Sequence, residues 1–251
     1  HLSIRRQRQM CIRDSDKLKK GGAGVIDAVS MTGTNGYCDD MAKENFREMM
    51  KEYPTKGIHF IDGGNYHYLT LLWLSLIEEP FDLIVFDNHS DMQKPAFGDV
   101  LSCGGWIRNL VEDSGFKGKV TVVGVDKDNI DKEMKELGVK FITKQTILKK
   151  RGQQYGLENE LIDKCWTGKR PVYISVDKDV LDEKEYKTNW NQGIMSVDEL
   201  FSIIEDTFEM RKVIGMDICG EMDEAVNSEF GSIYNEINQA VNMRFLKFRI
   251  S

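Results

Sequence analysis

Residues 82–91 read DLIVFDNHSD, and the two halves of that stretch carry different information. Leu83, Ile84, Val85 and Phe86 form an unbroken apolar run, the pattern of a strand covered on both faces, and such strands belong to parallel sheets. The run then ends on Asp87, His89 and Asp91, at positions i, i+2 and i+4. In extended chain that spacing puts three side chains with metal-binding chemistry on one side.

The same character recurs outward from this stretch. Gly57–Asp62 (GIHFID), Lys119–Val125 (KVTVVGV), Pro171–Asp177 (PVYISVD) and Val213–Ile218 (VIGMDI) are further strand candidates, with Lys140–Thr143 a weaker one. Helical spacing falls between them, at Asp40–Lys51, Tyr66–Glu78, Gly105–Glu112, Lys132–Leu137, Val197–Met210 and Ile233–Phe248. Ser196 and Glu199 have the spacing of a capping box at a helix start. Strands alternating with helices make βαβ units, so the expected fold is α/β, a three-layer αβα sandwich around a central parallel sheet.

The chain has 251 residues, 41% hydrophobic and 30% charged, enough for one substantial core. No apolar run approaches the length of a membrane-spanning helix, so no membrane association is expected. The net charge of −7 argues against a nucleic-acid binder. Five cysteines, an odd number without a C-x-x-C pair, read as reduced thiols of a cytoplasmic protein rather than a disulfide scaffold or zinc ribbon. The charge is uneven: residues 1–20 hold seven Lys and Arg against two Asp, while the other 231 hold 27 basic against 39 acidic side chains. Residues 1–20 show no clear periodicity and read as a non-native or disordered leader, leaving 21–251 as a single domain.

In open α/β sheets ligands bind beyond the carboxyl ends of the strands. GIHFID leads into Gly63-Gly64-Asn65-Tyr66-His67, PVYISVD continues through Asp177, Lys178 and Asp179, and VIGMDI leads into Cys219-Gly220-Glu221. A lone D-x-D is ordinarily a solvated turn. A D-x-H-x-D directly after a buried strand is rarer, and two of the four histidines, His67 and His89, fall beside carboxylates at strand ends. His59, inside a strand, reads as a core histidine. Carboxylates packed this densely repel one another unless cations neutralise them. Four aspartates balance two divalent ions, with His67 and His89 neutral. Oxygen donors with some imidazole suit Mn²⁺, with Zn²⁺ or Fe²⁺ as rivals, and two close ions can share a water and make it a nucleophile.

These residues resemble the arginase/agmatinase (ureohydrolase) family, whose strand ends read G-G-D-H, D-A-H-A-D and S-x-D-x-D-x-x-D. Here they appear as GGNYH, DNHSD and SVDKDVLD, in the same order. The resemblance implies an arginase-like domain with a binuclear manganese centre. One ion would be held by His67, Asp87, Asp91 and Asp177, the other by Asp87, His89, Asp177 and Asp179, and Asp91 would also orient the nucleophile. It further implies a carboxylate near the last strand that holds a cationic substrate head, a place matched by Glu221. The bland alternative for Glu221 is a surface charge.

The departures concentrate on the substrate side. Tyr66 is an extra residue before His67. Cys103 stands where the hydrolases carry a proton-shuttling His, and a thiol is a poorer acid–base match to neutral pH than imidazole. Gln93 stands where arginases have an Asn, Glu183 replaces a Pro, and Gly220 lengthens the segment before Glu221. The reading is therefore a family member other than an arginase: a hydrolase of a non-peptide C–N bond in a guanidino, amidine or linear amide small molecule, with Asp91, Glu221 and Cys103 as catalytic candidates. The alternatives are a mononuclear metal deacylase and a non-catalytic metal- or small-molecule-binding protein of the same fold. The family also implies a homo-oligomer.

Three segments keep two readings each. Thr32–Asp40 is either a loop with Asp39 or Asp40 capping the next helix or a wall of the site. Gly104–Trp106 reads as tight packing, since no phosphate-binding glycine motif is present. The tail Arg244–Arg249 is either a docking segment or a helix end with cations in its last turn.

Overall fold

The computed structural model describes residues 2–5, 24–95, 98–113, 115–151, 157, 161–222 and 231–250. Eight strands form one sheet: β1 (Leu2–Arg5), β2 (Gly24–Asp27), β4 (Ile58–Phe60), β5 (Asp82–Phe86), β7 (Val120–Val123), β8 (Lys140–Ile142), β9 (Val172–Asp177) and β10 (Val213–Cys219). Their spatial order is β2-β1-β4-β10-β9-β5-β7-β8. Every pairing is parallel. A separate antiparallel pair, β3 (Tyr37–Cys38) with β6 (Leu101–Ser102), clips two loops together near the carboxyl ends of these strands.

Helices cover both faces. On one side lie α1 (Asp40–Lys51), α2 (Leu69–Leu74), α3 (Trp106–Glu112) and α4 (Lys132–Glu136). They bury Phe46, Trp73, Trp106 and Met134 against Leu83, Val85 and Tyr173 of the sheet. On the other side α5 (Lys144–Lys150), α6 (Val197–Met210) and α7 (Gly231–Phe245) bury Ile147, Phe201, Ile204 and Phe245 against Ile84, Phe86, Ile174 and Val176. The alternation of Leu83 and Val85 with Ile84 and Phe86 between the two cores is the period-2 geometry of one strand feeding two layers. The three-layer αβα sandwich is thus present, and the strand order reverses around β9 and β10.

Local signals account for the helix boundaries. Asp39 caps α1, accepting from the amide of Ala42 at 2.8 Å, and Ser196 with Glu199 closes both hydrogen bonds of the capping box on α6. The helix expected at Tyr66–Glu78 is shorter, a 3₁₀ turn at Gly64–Tyr66 followed by α2. Helix α5, capped by Thr143, escapes a periodicity reading because its seven residues are mostly polar. His59 is a core histidine, stacked 4.1 Å from Trp73 and bonded to the Tyr173 hydroxyl. The tail lies on its own chain: Arg244 sits over the Phe201 ring and pairs with Asp198, and Phe248 stacks on Phe201 and Phe208.

One expectation is corrected. Leu2–Arg5, assigned above to a leader outside the fold, is a strand in the sheet, pairing with β2 from Leu2↔Gly24 to Arg5↔Asp27 and with β4 at Leu2↔His59. LSIR does alternate apolar and polar residues, but four residues are too few for the pattern to stand out from a basic surrounding. Residues 6–23 of that stretch lie outside the described residues.

Candidate metal centre

Three neighbouring strands, β5, β9 and β10, deliver side chains to one place beyond their carboxyl ends. Asp87 follows β5, Asp177 ends β9, and Asp179 sits in the 3₁₀ turn Lys178–Val180. His67 enters from the turn Gly64–Tyr66, which absorbs the extra Tyr66. Gly64 is required there by closeness, since a Cβ would stand 2.9 Å from Asp177 Oδ2 and from Trp190 Cδ1.

Backbone amides set the carboxylate orientations. His89 donates its N–H to Asp87 Oδ1 at 2.6 Å, Asp179 to Asp177 Oδ1 at 2.9 Å, and Asn88 to Asp179 Oδ1 at 3.0 Å. One oxygen of each of these three aspartates is held by a backbone amide, and the other faces the centre. His67 Nδ1 lies 3.1 Å from Asp87 Oδ2, 2.9 Å from Asp91 Oδ2 and 3.7 Å from Asp177 Oδ2. His89 Nδ1 lies 2.8 Å from Asp179 Oδ2 and 3.5 Å from Asp87 Oδ1. Two groups result, His67–Asp87–Asp91 and Asp87–His89–Asp179, sharing Asp87, and each has its ligand atoms close enough for one ion. All six metal-ligand candidates named from the sequence are brought together.

The donor set fits divalent ions. His67 Nδ1 and Asp87 Oδ2 are buried and make no hydrogen bond, a costly arrangement for polar atoms unless something else engages them. The other ring nitrogen of His67 is committed: Nε2 lies 2.9 Å from Ser175 Oγ, which donates to Asp217 Oδ1 at 2.6 Å. That chain makes Nε2 a donor and turns Nδ1 toward the carboxylates. Burial opposes a second proton on the ring, but the neighbouring Cys219, Asp87 and Asp91 outweigh it and hold the ring well above the ordinary imidazole value, so an ion at Nδ1 would replace a proton. Burial and then repulsion from Asp179 and Asp87 push the Asp177 carboxyl up to about 7. Burial and then Asp87 push Asp179 up to about 6. Burial opposes charge on His89, but the hydrogen bonds and attraction of Asp179 and Asp87 outweigh it and push the ring up to about 11. Without cations the cluster retains protons to relieve its own repulsion.

Asp91 is held in an unusual state. Its φ of +49° makes it the one non-glycine residue with positive φ among the described residues, a conformation that carries strain. Its carbonyl accepts from the amide of Ile107 at 3.0 Å, and Trp106 Nε1 donates to its Oδ2 at 2.7 Å. Gly104–Trp106 is therefore tight packing, as expected, but Trp106 also orients the Asp91 carboxylate.

Above the carboxylates opens a cavity of about 480 Å³. Its walls include Tyr37, Gln93, Val100, Cys103 and Trp190. The Thr32–Asp40 loop serves both of its readings, since Asp39 caps α1 while Gly36 and Tyr37 line the cavity. Trp190 Nε1 donates to Asn65 Oδ1, and Asn65 in turn donates to Asn35, tying the mouth together. Cys103 faces the cavity, and burial, with Asp91 nearby, pushes its thiol up to about 11.

Glu221 does not join these groups. Its carboxylate accepts from Lys178 Nζ, from Asn242 Nδ2 at 2.8 Å and from the Tyr186 hydroxyl at 3.4 Å, and it is not among the residues lining the cavity. The expectation that it holds a substrate head is corrected on this geometry. Gly220, at φ +86°, turns the chain over Asp177, and the added residue hands Glu221 to the wholly buried Lys178. Sequence reading also passed over Trp106, Ser175, Asp217 and Cys219. The last two had a signal: Asp217 and Cys219 stand at i and i+2 on β10, as Ser175 and Asp177 do on β9, in register with them.

A sequence profile of the arginase family matches residues 4–223. An uncharacterized protein of Thermotoga maritima is 34% identical over 167 residues, 66% of this chain, and that match spans 59% of the relative's length. Among solved structures, formimidoylglutamase from Bacillus subtilis superposes with a TM-score of 0.62 at 19% identity, over 82% of this chain and 64% of that one. Formiminoglutamase of Trypanosoma cruzi with Mn²⁺ gives 0.63 at 16%, over 87% and 72%. Entamoeba histolytica arginase in complex with L-ornithine gives 0.65 at 15%, over 98% and 97%. At these identities the superpositions speak for the fold.

Proposed function

This chain belongs to the arginase family, and on that premise we propose that it is a binuclear-metal hydrolase cleaving a non-peptide C–N bond of a guanidino, amidine or linear amide small molecule. The observation that carries the reading is the sharing of Asp87 by two His/carboxylate groups, with His67 Nδ1 and Asp87 Oδ2 buried 3.1 Å apart between them and neither making a hydrogen bond. When bound, two divalent ions supply Lewis acidity and a nucleophile from water at neutral pH. Manganese suits the oxygen-dominated donors, with zinc and iron(II) as the rivals that imidazole admits.

The chain's own part is orientation and exclusion. His67, Asp87, Asp91 and Asp177 would hold one ion, and Asp87, His89, Asp177 and Asp179 the other. Trp106 and the strained backbone of Asp91 hold its Oδ2 beside His67 Nδ1. Tyr37, Val100 and Trp190 provide apolar walls that limit water around a substrate of small-molecule size. The cytoplasmic setting belongs to the same proposal and is supported by Cys38, Cys103, Cys165 and Cys219 being free thiols.

Cys103 favours a second reading. A thiol raised to about 11 stays protonated at neutral pH, so it can donate a proton but cannot cycle one as imidazole does. A metal- or small-molecule-binding protein without turnover is the reading this observation supports.

Metal analysis after Mn²⁺ reconstitution, on wild type and Asp179→Ala, tests the centre. Two ions per chain falling to one in the variant are expected, and no bound ion in folded wild type overturns the proposal. A screen for ammonia, urea and amine release on wild type and Cys103→His then separates the two readings. Turnover by either protein supports the hydrolase, and none by both supports binding alone.

A further inference from the structure

Cys219 closes β10 directly opposite Asp177, its register partner on β9. Its side chain is wholly buried, and its Sγ lies 3.1 Å from Asp177 Oδ2, the same oxygen that faces His67 Nδ1 at 3.7 Å. His67, Asp177 and Cys219 thus form a third group whose ligand atoms lie within 4.8 Å of one another. A thiol hydrogen-bonded to a carboxylate would account for the Sγ contact alone; the group is completed by the buried His67 Nδ1, which makes no hydrogen bond and lies 2.9 Å from Asp91, 3.1 Å from Asp87 and 3.7 Å from Asp177.

Spacing points the same way. With Zn–S near 2.3 Å and Zn–N or Zn–O near 2.0–2.2 Å, ligand atoms around one ion stand about 3.3–3.8 Å apart. The Asp177 Oδ2 to His67 Nδ1 separation of 3.7 Å falls in that range, and the Sγ to Oδ2 separation of 3.1 Å lies just below it. Gly220, the next residue after Cys219, is at φ +86° and packs against Asp177, where any Cβ would meet Oδ1 at 2.5 Å. The other half of the centre, Asp87, His89 and Asp179, contains nitrogen and oxygen donors only.

We propose that Cys219 is a thiolate ligand to the ion held by His67 and Asp177, so that this half of the centre selects a softer ion, zinc or iron(II), over manganese. The inference rests on the binuclear reading above. On binding, the S–H bond breaks as the sulfur–metal bond forms, and the proton leaves to solvent. The Asp87–His89–Asp179 half keeps a harder preference, which makes the two positions unequal in metal choice.

The test uses the full chain reconstituted with Co²⁺ alone and with Zn²⁺ alone. Wild type and Cys103→Ser are expected to show a sulfur-to-cobalt charge-transfer band in the near ultraviolet, and Cys219→Ser to lack it. Zinc-edge X-ray absorption on wild type is expected to contain a Zn–S path at about 2.3 Å. Zinc retention should weaken roughly 10–100-fold in Cys219→Ser, the size of effect typical of disturbed metal surroundings, with manganese retention little changed. Two ions bound with neither band nor Zn–S path overturns the role of Cys219 and leaves the binuclear reading standing. No bound ion overturns both. Should Cys219→Ser fail to fold, the zinc-edge spectra of wild type and Cys103→Ser decide the matter.

Discussion

Trp106 donates its indole N–H to Asp91 Oδ2 at 2.7 Å, joining the first turn of a buried helix to a carboxylate whose own backbone is strained at φ +49°. The same oxygen lies 2.9 Å from His67 Nδ1. A helix start with no side-chain cap of its own thereby fixes the direction in which one ligand candidate points.

Trp106→Phe keeps most of the ring volume and removes only the donor. The fold should be retained while divalent-ion affinity falls by roughly 10–100-fold, the usual consequence of losing a partner that orients a ligand. Calorimetric titration with Mn²⁺ measures this. An unchanged affinity would mean that the backbone bonds of Asp91 suffice.

Lys178→Met removes one partner of a buried ion pair and leaves Glu221 facing Asn242 and Tyr186 without a counter-charge. Breaking such a pair costs roughly 3–5 kcal/mol, read from urea unfolding. The double variant Lys178→Met/Glu221→Gln should recover most of the loss, because no buried charge is then left alone. A single variant as stable as wild type would show that the pair adds nothing.

Gly220→Ala places a Cβ 2.5 Å from Asp177 Oδ1 and 2.8 Å from the amide of Lys178, at a φ that side chains rarely adopt. A destabilisation of roughly 1–3 kcal/mol is expected from the conformation, together with reduced metal content because Asp177 must shift. Thermal melting and metal analysis report the two effects separately. Full metal content would show that Asp177 can move without losing its ion.

The metal-free protein should lose stability as pH rises. Asp177, Asp179 and Asp217 are raised to about 7, 6 and 6, mainly by burial, and His89 to about 11 by its carboxylate neighbours against burial. A raised folded-state pKa means that the native state binds protons more tightly than the unfolded chain. The contribution is complete below the unfolded value and is lost as pH climbs through the folded one. The aspartates lose theirs between about pH 4 and 7, and His89 between about 6.5 and 11. Melting temperature without metal should therefore fall from pH 6 to 9, and Mn²⁺ should raise it more at pH 8 than at pH 6, since ions replace the missing protons. A metal-free melting temperature that rises over this range would contradict the assigned shifts.

Much of this architecture was legible along the chain. The buried strands announced themselves because a strand covered on both faces must be apolar at every position, as Leu83 to Phe86 are. The ligand candidates announced themselves because His and Asp directly after such runs must lie at the sheet's carboxyl edge. Strand β1 was not legible, since four alternating residues in a basic segment carry too little pattern. Helix α5 was missed because a short helix near the surface needs few apolar residues.

The limits of reading the chain show best at the end of β10. Sequence alone determined the sandwich, the parallel sheet and the six His and Asp side chains that gather beyond the sheet's carboxyl edge, because these follow from periodicity and from spacing within single segments. Tertiary structure alone decided the fate of Glu221, the closeness of Cys219 to Asp177 and the grip of Trp106 on Asp91. Each of these depends on how separate segments meet: the register of β10 against β9, a left-handed turn at Gly220, and a buried lysine competing for a carboxylate. Local pattern specifies which face a side chain takes, but only packing between segments specifies which partner it finds there.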